Sequence, residues 1–313
     1  MRKIVIGTRQ SALALTQSGQ VVELLREAAR RTGVEAEFEL KKIVTKGDRI
    51  LDVSLSKVGG KGLFVKEIEH ALLEEEIDLA IHSMKDMPAE LPEGLVIGGV
   101  PPREDPRDCL ITRSGGGFEA LPNGARVGTS SLRRACQLKA ARPDLVMEVL
   151  RGNIDSRLRR LDTGEMDAVI LAAAGLHRMG WQNRVTEYLE PELCLPAVGQ
   201  GALAIECRSA DAIILELLAA VTHEETRRAV AAERSFLDTL QGGCQVPIGA
   251  YAVFLPDGQL SLTGMVGEPD GSVLLRDTLT GHDPEAMGSR LAGTLISRGA
   301  DRILAKVRSE AHE

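Results

Sequence analysis

The chain has 313 residues, 43% of them hydrophobic and 27% charged, with a formal net charge of −7. That length predicts two or three domains with apolar material for several cores and no need of disulfide staples. The negative charge argues against nonspecific nucleic-acid binding, and no run of about 18 apolar residues occurs, so no membrane span is expected.

The opening MRKIVIGTRQ is too short and too polar for a signal-peptide core. The cysteines stand at 109, 136, 194, 207 and 244 and form no C-x-x-C pair. Free thiols in a reducing cytoplasm are expected. The six histidines lack paired metal spacing, so no metal site is expected.

KIVIGT (3–8) predicts a short strand, and Ser11 a cap for the helix that follows. EFELKKIVT (37–45) predicts a second strand, and GLFVKEIEHALLEEEI (62–77) an amphipathic helix with Phe64, Ile68 and Leu72 on one face. DLAIHS (78–83) and LVIGGV (95–100) predict buried strands. Strands alternating with helices imply a mostly parallel sheet. After a Pro- and charge-rich break at 101–108 the pattern restarts: ARVGT, LVMEVLRG and DAVILAAAG as strands, SSLRRACQLKAA and NIDSRLRRLDTGE as helices. Two such α/β units make a two-lobed molecule with a cleft, where ligands sit at the carboxyl ends of strands. LPAVGQGALAIECR (195–208) is placed to cross back to the first lobe. Beyond the helix around TRRAVAAERSFLDTL, Pro-Asp-Gly at 256–258 and 269–271 predicts hairpins of a small antiparallel sheet, followed by one or two helices.

From Arg103 to Arg160 there are 12 Lys/Arg against 7 Asp/Glu, a local excess of +5. This suits either a small polyanion or a solvated basic face. SKVGGKGLF (56–64) sets Lys57 and Lys61 around a Gly-Gly turn, either a lid over an anion or a plain surface loop; it lacks P-loop spacing. HSMKDMP (82–88) follows a strand directly, which places Asp86 where α/β catalytic groups sit, with Lys85 beside it; the alternative is a capping turn. VGTSSLRR (127–134) ends a strand in hydroxyls, so free amides at Thr129, Ser130 and Ser131 predict an anion nest, with Arg133 and Arg134 as forked donors. Arg151 and Arg157 repeat the idea. Cys244, on the open backbone of LQGGCQVPIGAY, is either a small buried hydrophobe or a thiol poised for covalent chemistry.

GTRQSALAL, KVGGKGLFVKEIE, IHSMKDMP, REDPRD, VGTSSLRRACQL, LRGN, LPAVGQGA and GGCQVPIGAY occur in this order along nearly the whole chain. The set resembles the porphobilinogen deaminase (hydroxymethylbilane synthase) family. The resemblance implies two lobes like those of periplasmic binding proteins plus a third small α+β domain. The boundaries are 1–101 with 202–219, 107–195, and 224–313. It implies a transferase that joins four porphobilinogen molecules head to tail, releases ammonia each time, and finally frees the linear tetrapyrrole hydroxymethylbilane, a precursor of haem. It also implies a dipyrromethane cofactor joined by a thioether to Cys244, and a cytoplasmic monomer with no nucleic-acid or membrane partner.

By motif match, the residues facing the acetate and propionate groups are Arg9, Ser11, Lys57, Lys61, Ser83, Lys85, Thr129, Ser130, Ser131, Arg133, Arg134, Arg151, Arg157, Arg178 and Gln200. Asp86 is the single catalytic acid. The sequence departs from the family pattern at Gln241, where Glu is usual, and at Asp155 and Ser156, where Gly-Thr is frequent. The rival readings are a two-lobed small-anion binding protein without catalysis, and a cysteine hydrolase pairing Cys244 with His82 or His70.

Overall fold

The computed structural model of the chain describes residues 2–49, 65–242 and 246–310. Its elements begin with β1 (Arg2–Thr8), α1 (Ala12–Thr32), β2 (Ala36–Lys42), α2 (Lys46–Arg49), α3 (Lys66–Leu73), β3 (Leu79–Ser83) and β4 (Leu95–Gly99). Next come β5 (Asp108–Thr112), β6 (Arg126–Gly128), α4 (Leu132–Ala141), β7 (Val146–Glu148), α5 (Ile154–Asp162), β8 (Ala168–Ala172), α6 (Ala173–Arg178) and β9 (Glu187–Leu189). The last are β10 (Leu203–Arg208), α7 (Ala212–Ala219), α8 (Glu224–Thr239), β11 (Ile248–Phe254), β12 (Leu260–Gly267), β13 (Leu274–Gly281), α9 (Pro284–Ser297) and α10 (Ala300–Glu310). The described residues fall into two compact units, one of 2–49, 65–104 and 202–227, the other of 105–201, 228–242 and 246–310. No helix among them is long and apolar enough to cross a membrane.

The first unit is built on a five-stranded sheet in the order β2-β1-β3-β10-β4. Side chains alternate across a strand. Ile4 and Ile6 of β1 and Leu79 and Ile81 of β3 therefore share one face with Ile205 of β10. Val21, Leu25 and Ala28 of α1 cover that face at helical spacing, together with Ile214, Leu217 and Leu218 of α7. Ser11 caps α1 as expected, its Oγ accepting the Ala14 amide at 3.2 Å. The other face carries Ala80, on which α3 lays Ile68, Ala71 and Leu72.

The second unit repeats the scheme in the order β7-β6-β8-β5-β9. The sheets are less parallel than the alternation of elements predicts. β1–β2 and β1–β3 are parallel, but β10 runs antiparallel to β3 and β4. β5 does the same between β8 and β9. A helical crossover returns a chain parallel to its start. β5 and β10 are each reached from the other sheet rather than through such a crossover. Two local expectations also give way. The predicted strand DAVILAAAG stops at Ala172, and its Ala-Ala-Gly end opens α6. LVMEVLRG supplies strand only over Val146–Glu148.

The C-terminal part of the second unit is the expected antiparallel sheet, β11-β12-β13, with two helices after it. Its core joins Leu260, Leu262 and Val266 to Leu291 and Leu295 of α9 and to Phe236 of α8. The turn between β12 and β13 contains Gly271 at φ 79°, the left-handed region that favours glycine. A Cβ there would lie 2.6 Å from the Ala140 amide nitrogen and 2.7 Å from the Cys136 carbonyl oxygen, both on α4. The turn thus docks on helix backbone, which cannot give way. Gly271→Ala is expected to cost about 1–3 kcal/mol of stability, read as a lowered midpoint in denaturant melts.

Candidate active site

In the first unit, β3 ends at Ser83 and passes into a 3₁₀ turn, Met84–Asp86. The Met84 amide donates to the Ala202 carbonyl at 3.0 Å, and Met84 and Met87 are buried. The turn is thus fixed by its apolar residues, while Lys85 and Asp86 are half-buried at the carboxyl end of the strand. Arg9, Ala14, Gln17, Val65, Ile81, His82, Ser83 and Asp86 line one pocket. Three candidates from the sequence therefore meet there: Arg9, Ser83 and Asp86. The Arg9 Nε donates to Asp48 Oδ1 at 3.0 Å. Burial would push the Asp48 carboxyl up, but the Arg9 guanidinium and Thr45 hold it below its usual range. Gln17, which sequence reasoning missed, is buried and donates from Nε2 to Ser83 Oγ at 3.2 Å. Ser11 does not line this pocket; its hydroxyl serves the helix cap.

Behind the pocket wall lies a buried set of ionisable groups. His82 Nε2 is 3.0 Å from Glu206 Oε2, with side chains 3% and 0% exposed. Glu69 of α3 is also buried. Burial and the Glu206 charge push the Glu69 carboxyl above its usual value.

In the second unit two amides of the expected anion nest make internal hydrogen bonds. The Thr129 amide donates to the Glu148 carbonyl at 2.8 Å, and the Ser131 amide to Thr129 Oγ1 at 3.2 Å. Pairing with β7 continues one residue past β6, and Ser131 is itself the α4 cap, accepting the Arg134 amide at 3.4 Å. The Ser130 hydroxyl donates to the Leu150 carbonyl at 2.5 Å.

Arg133 and Arg134 are buried and share a carboxylate of the chain itself. Arg133 Nη1 lies 2.7 Å from Asp108 Oδ2 and 2.6 Å from the Leu195 carbonyl. Arg134 Nε and Nη2 reach Asp108 Oδ1 at 2.9 and 2.7 Å. Gln200 Nε2 donates to the same oxygen at 2.9 Å. Asp108 therefore gathers three predicted site residues and is fully buried. Burial alone would raise its carboxyl; the two guanidinium ions reverse that and hold it well below the usual carboxylate range. Sequence reasoning did not nominate Asp108; the available signal was one acid opening an apolar strand, DCLIT.

The remaining arginines lie nearer the surface. Arg157 Nε donates to the Gly152 carbonyl at 2.8 Å, and Arg178 Nη2 to the Gly201 carbonyl at 2.7 Å. Asp155 beside them is exposed. Arg151 differs: its Nε is buried and has no hydrogen-bond partner among the described residues. Burial draws its guanidinium down from its usual value. A half-buried arginine whose inner donor has no partner among the described residues is suited to a ligand carboxylate. Lys57, Lys61 and Cys244 lie outside the described residues.

Removing one partner of a buried ion pair leaves the other charge uncompensated, at a cost of about 3–5 kcal/mol. Asp108→Asn should lower stability by that order in denaturant melts at pH 7. The Asp108 carboxyl is depressed in the folded state, so its contribution is present above the unfolded value, about 4. The stability gap between wild type and variant should hold from pH 7 to about 4 and close only in stronger acid.

Residues 4–216 match the family model described as porphobilinogen deaminase, dipyromethane cofactor binding domain, and residues 227–297 match that of the porphobilinogen deaminase C-terminal domain. Porphobilinogen deaminase of Bacillus subtilis (strain 168) is 56% identical over 100% of this chain and 99% of its own. That of Paenibacillus macerans is 58% identical over 95% of this chain and 98% of its own. Among solved structures, the second substrate binding domain of a putative amino acid ABC transporter from Streptococcus pneumoniae aligns at 15% identity with a TM-score of 0.44, covering 69% of this chain and 90% of that one. With an ordered set of motifs, two family models and full-length relatives above half identity, this chain belongs to the porphobilinogen deaminase family.

Proposed function

We propose that the chain is a transferase that condenses four porphobilinogen molecules head to tail, releases ammonia at each addition, and hydrolyses the finished product free as hydroxymethylbilane. The observation that carries this reading is the placement of Asp86. It stands at a strand end, in a pocket with Arg9, Gln17 and Ser83, in a chain of this family.

Loss of ammonia from porphobilinogen leaves a pyrrole cation with its charge centred on the ring nitrogen. A carboxylate can steady that cation, whereas the lysines and arginines nearby would repel it. At about 4 Å and an effective dielectric near 20, the attraction is about 4 kcal/mol, roughly a thousandfold in rate. The basic residues have the complementary task of meeting acetate and propionate groups. Arg9, Ser11, Lys57, Lys61, Ser83 and Lys85 are assigned to it, with Thr129, Ser130, Ser131, Arg133, Arg134, Arg151, Arg157, Arg178 and Gln200. Each charge-assisted hydrogen bond contributes about 1.5–3 kcal/mol. Arg151 is the strongest of these assignments, because its Nε is buried without a partner among the described residues. Arg133, Arg134 and Gln200 already share Asp108, and Gln200 gives its second amide hydrogen to the Pro106 carbonyl, so of the three only the arginines keep guanidinium hydrogens for a ligand.

When bound, a dipyrromethane supplies a free pyrrole α-carbon as nucleophile and a covalent tether. Cys244 is the proposed attachment point, through a thioether, within a third domain of 224–313. The chain's own part is to orient the carboxylates and hold Asp86 beside the reacting ring. The full reading is of a cytoplasmic monomer whose other lobes are 1–101 with 202–219, and 107–195.

Asp86→Asn is expected to keep the fold and the attached pyrrole but to lose about a thousandfold in porphobilinogen turnover, measured as ammonia release; near-normal turnover would remove Asp86 from its role. Cys244→Ser should give an intact mass without a dipyrrole adduct, and an unaltered adduct would point to a different anchor.

A further inference from the structure

The buried ionisable groups behind the Asp86 pocket have no part in the chemistry described so far. Register explains how they meet. Ala204 pairs with His82 and Glu206 with Ala80 across the antiparallel β10–β3 ladder, so His82 and Glu206 are diagonal neighbours on one face. That face is the one α3 covers, through Ile68, Ala71 and Leu72 against Ala80. Glu69 is buried on the same helix. One imidazole and two carboxylates are thus enclosed between a helix and a sheet. One oxygen of each carboxylate, Glu69 Oε1 and Glu206 Oε1, has no hydrogen-bond partner among the described residues.

Burial, and then the Glu206 charge, push the Glu69 carboxyl above its usual value. His82 Nε2 and Glu206 Oε2 share a buried hydrogen bond at 3.0 Å. The same His82 lines the pocket with Asp86. The one further charged group acting on this set among the described residues is Lys66 on α3, which draws the Glu69 carboxyl down.

We propose that His82 is a positioning residue for Asp86: its protonation, governed by Glu206 and Glu69, sets the local charge in which the Asp86 carboxylate works. The inference rests on the transferase reading above. An ion pair buried only for stability gains little over an apolar replacement. A buried ionisable set that reaches the pocket lined by Asp86 is placed to change the field at the reacting ring.

The test uses the protein with its pyrrole attached, and His82→Gln, whose amide nitrogen can still donate to Glu206 but cannot titrate near neutrality. Thermal midpoint and intact mass establish that the variant is folded and loaded. At saturating porphobilinogen, kcat should fall at least about tenfold, KM should stay within about twofold, and the pH dependence of kcat should lose or displace one limb. Glu206→Gln, a same-shape change less prone to misfolding, should displace the same limb. The double variant should be no worse than the more affected single one, because the two act as a unit. Wild-type kcat and an unchanged pH profile in His82→Gln would overturn the proposal, as would losses that multiply in the double variant. If wild type itself releases no ammonia from porphobilinogen, the transferase reading fails instead.

Discussion

A carboxylate removed from water is tolerable only where cations or donors close around it. Asp108, at the start of β5, is fully buried and meets Arg133, Arg134 and Gln200. Those partners come from α4 and from the segment before β10. The carboxylate therefore joins the strand entering the second sheet to the helix beside it and to the chain leaving that sheet. The positions of α4, and of the Thr129–Ser131 turn that caps it, follow from this requirement.

The same constraint shapes the first unit in two weaker forms. Arg9 is turned onto Asp48, which fixes a cation at the pocket edge without leaving it free to swing. His82 is held by Glu206 at the back of the pocket. In both units the strand that runs antiparallel to its neighbours supplies the buried acid: Glu206 from β10, Asp108 from β5. Each sheet thus carries a buried acid on the strand that arrives from elsewhere in the sequence, and each pairs it with a cation or imidazole on a neighbouring element. Asp86 has no such pairing shown among the described residues; it sits half-buried on a turn whose apolar neighbours, Met84 and Met87, hold its place.

Much of this was legible in the sequence. Alternating strands and helices, the break at 101–108 and the two Pro-Asp-Gly turns give two α/β lobes and an antiparallel sheet. HSMKDMP places Asp86 at a strand end because an apolar run leads straight into it. What eluded sequence reasoning depends on contacts between residues distant in the chain. Asp108 and Arg133 are 25 residues apart, His82 and Glu206 are 124. No local spacing announces either pair, so arginines with a structural partner look the same as arginines awaiting a ligand. Gln17 was hidden for another reason: it sits within an ordinary helical pattern, and only the fold shows that it faces Ser83. At the predicted nest, 129–131, two of the three amides are engaged within the fold, Thr129 by the Glu148 carbonyl and Ser131 by Thr129 Oγ1, a pairing with the next strand that local sequence does not announce.

The end of the sequence reaches back toward the proposed anchor. Arg308 of α10 donates from Nη2 to the carbonyls of Leu240 and Gln241, each at 2.9 Å. Those carbonyls follow directly on α8, where a cation complements the helix dipole, and Gln241 has φ 52°. The final helix is therefore a clasp on the segment that leads to Cys244. Trimming the protein by half a dozen residues would erase no predicted ligand contact, yet it would unfasten the stretch that precedes the proposed anchor.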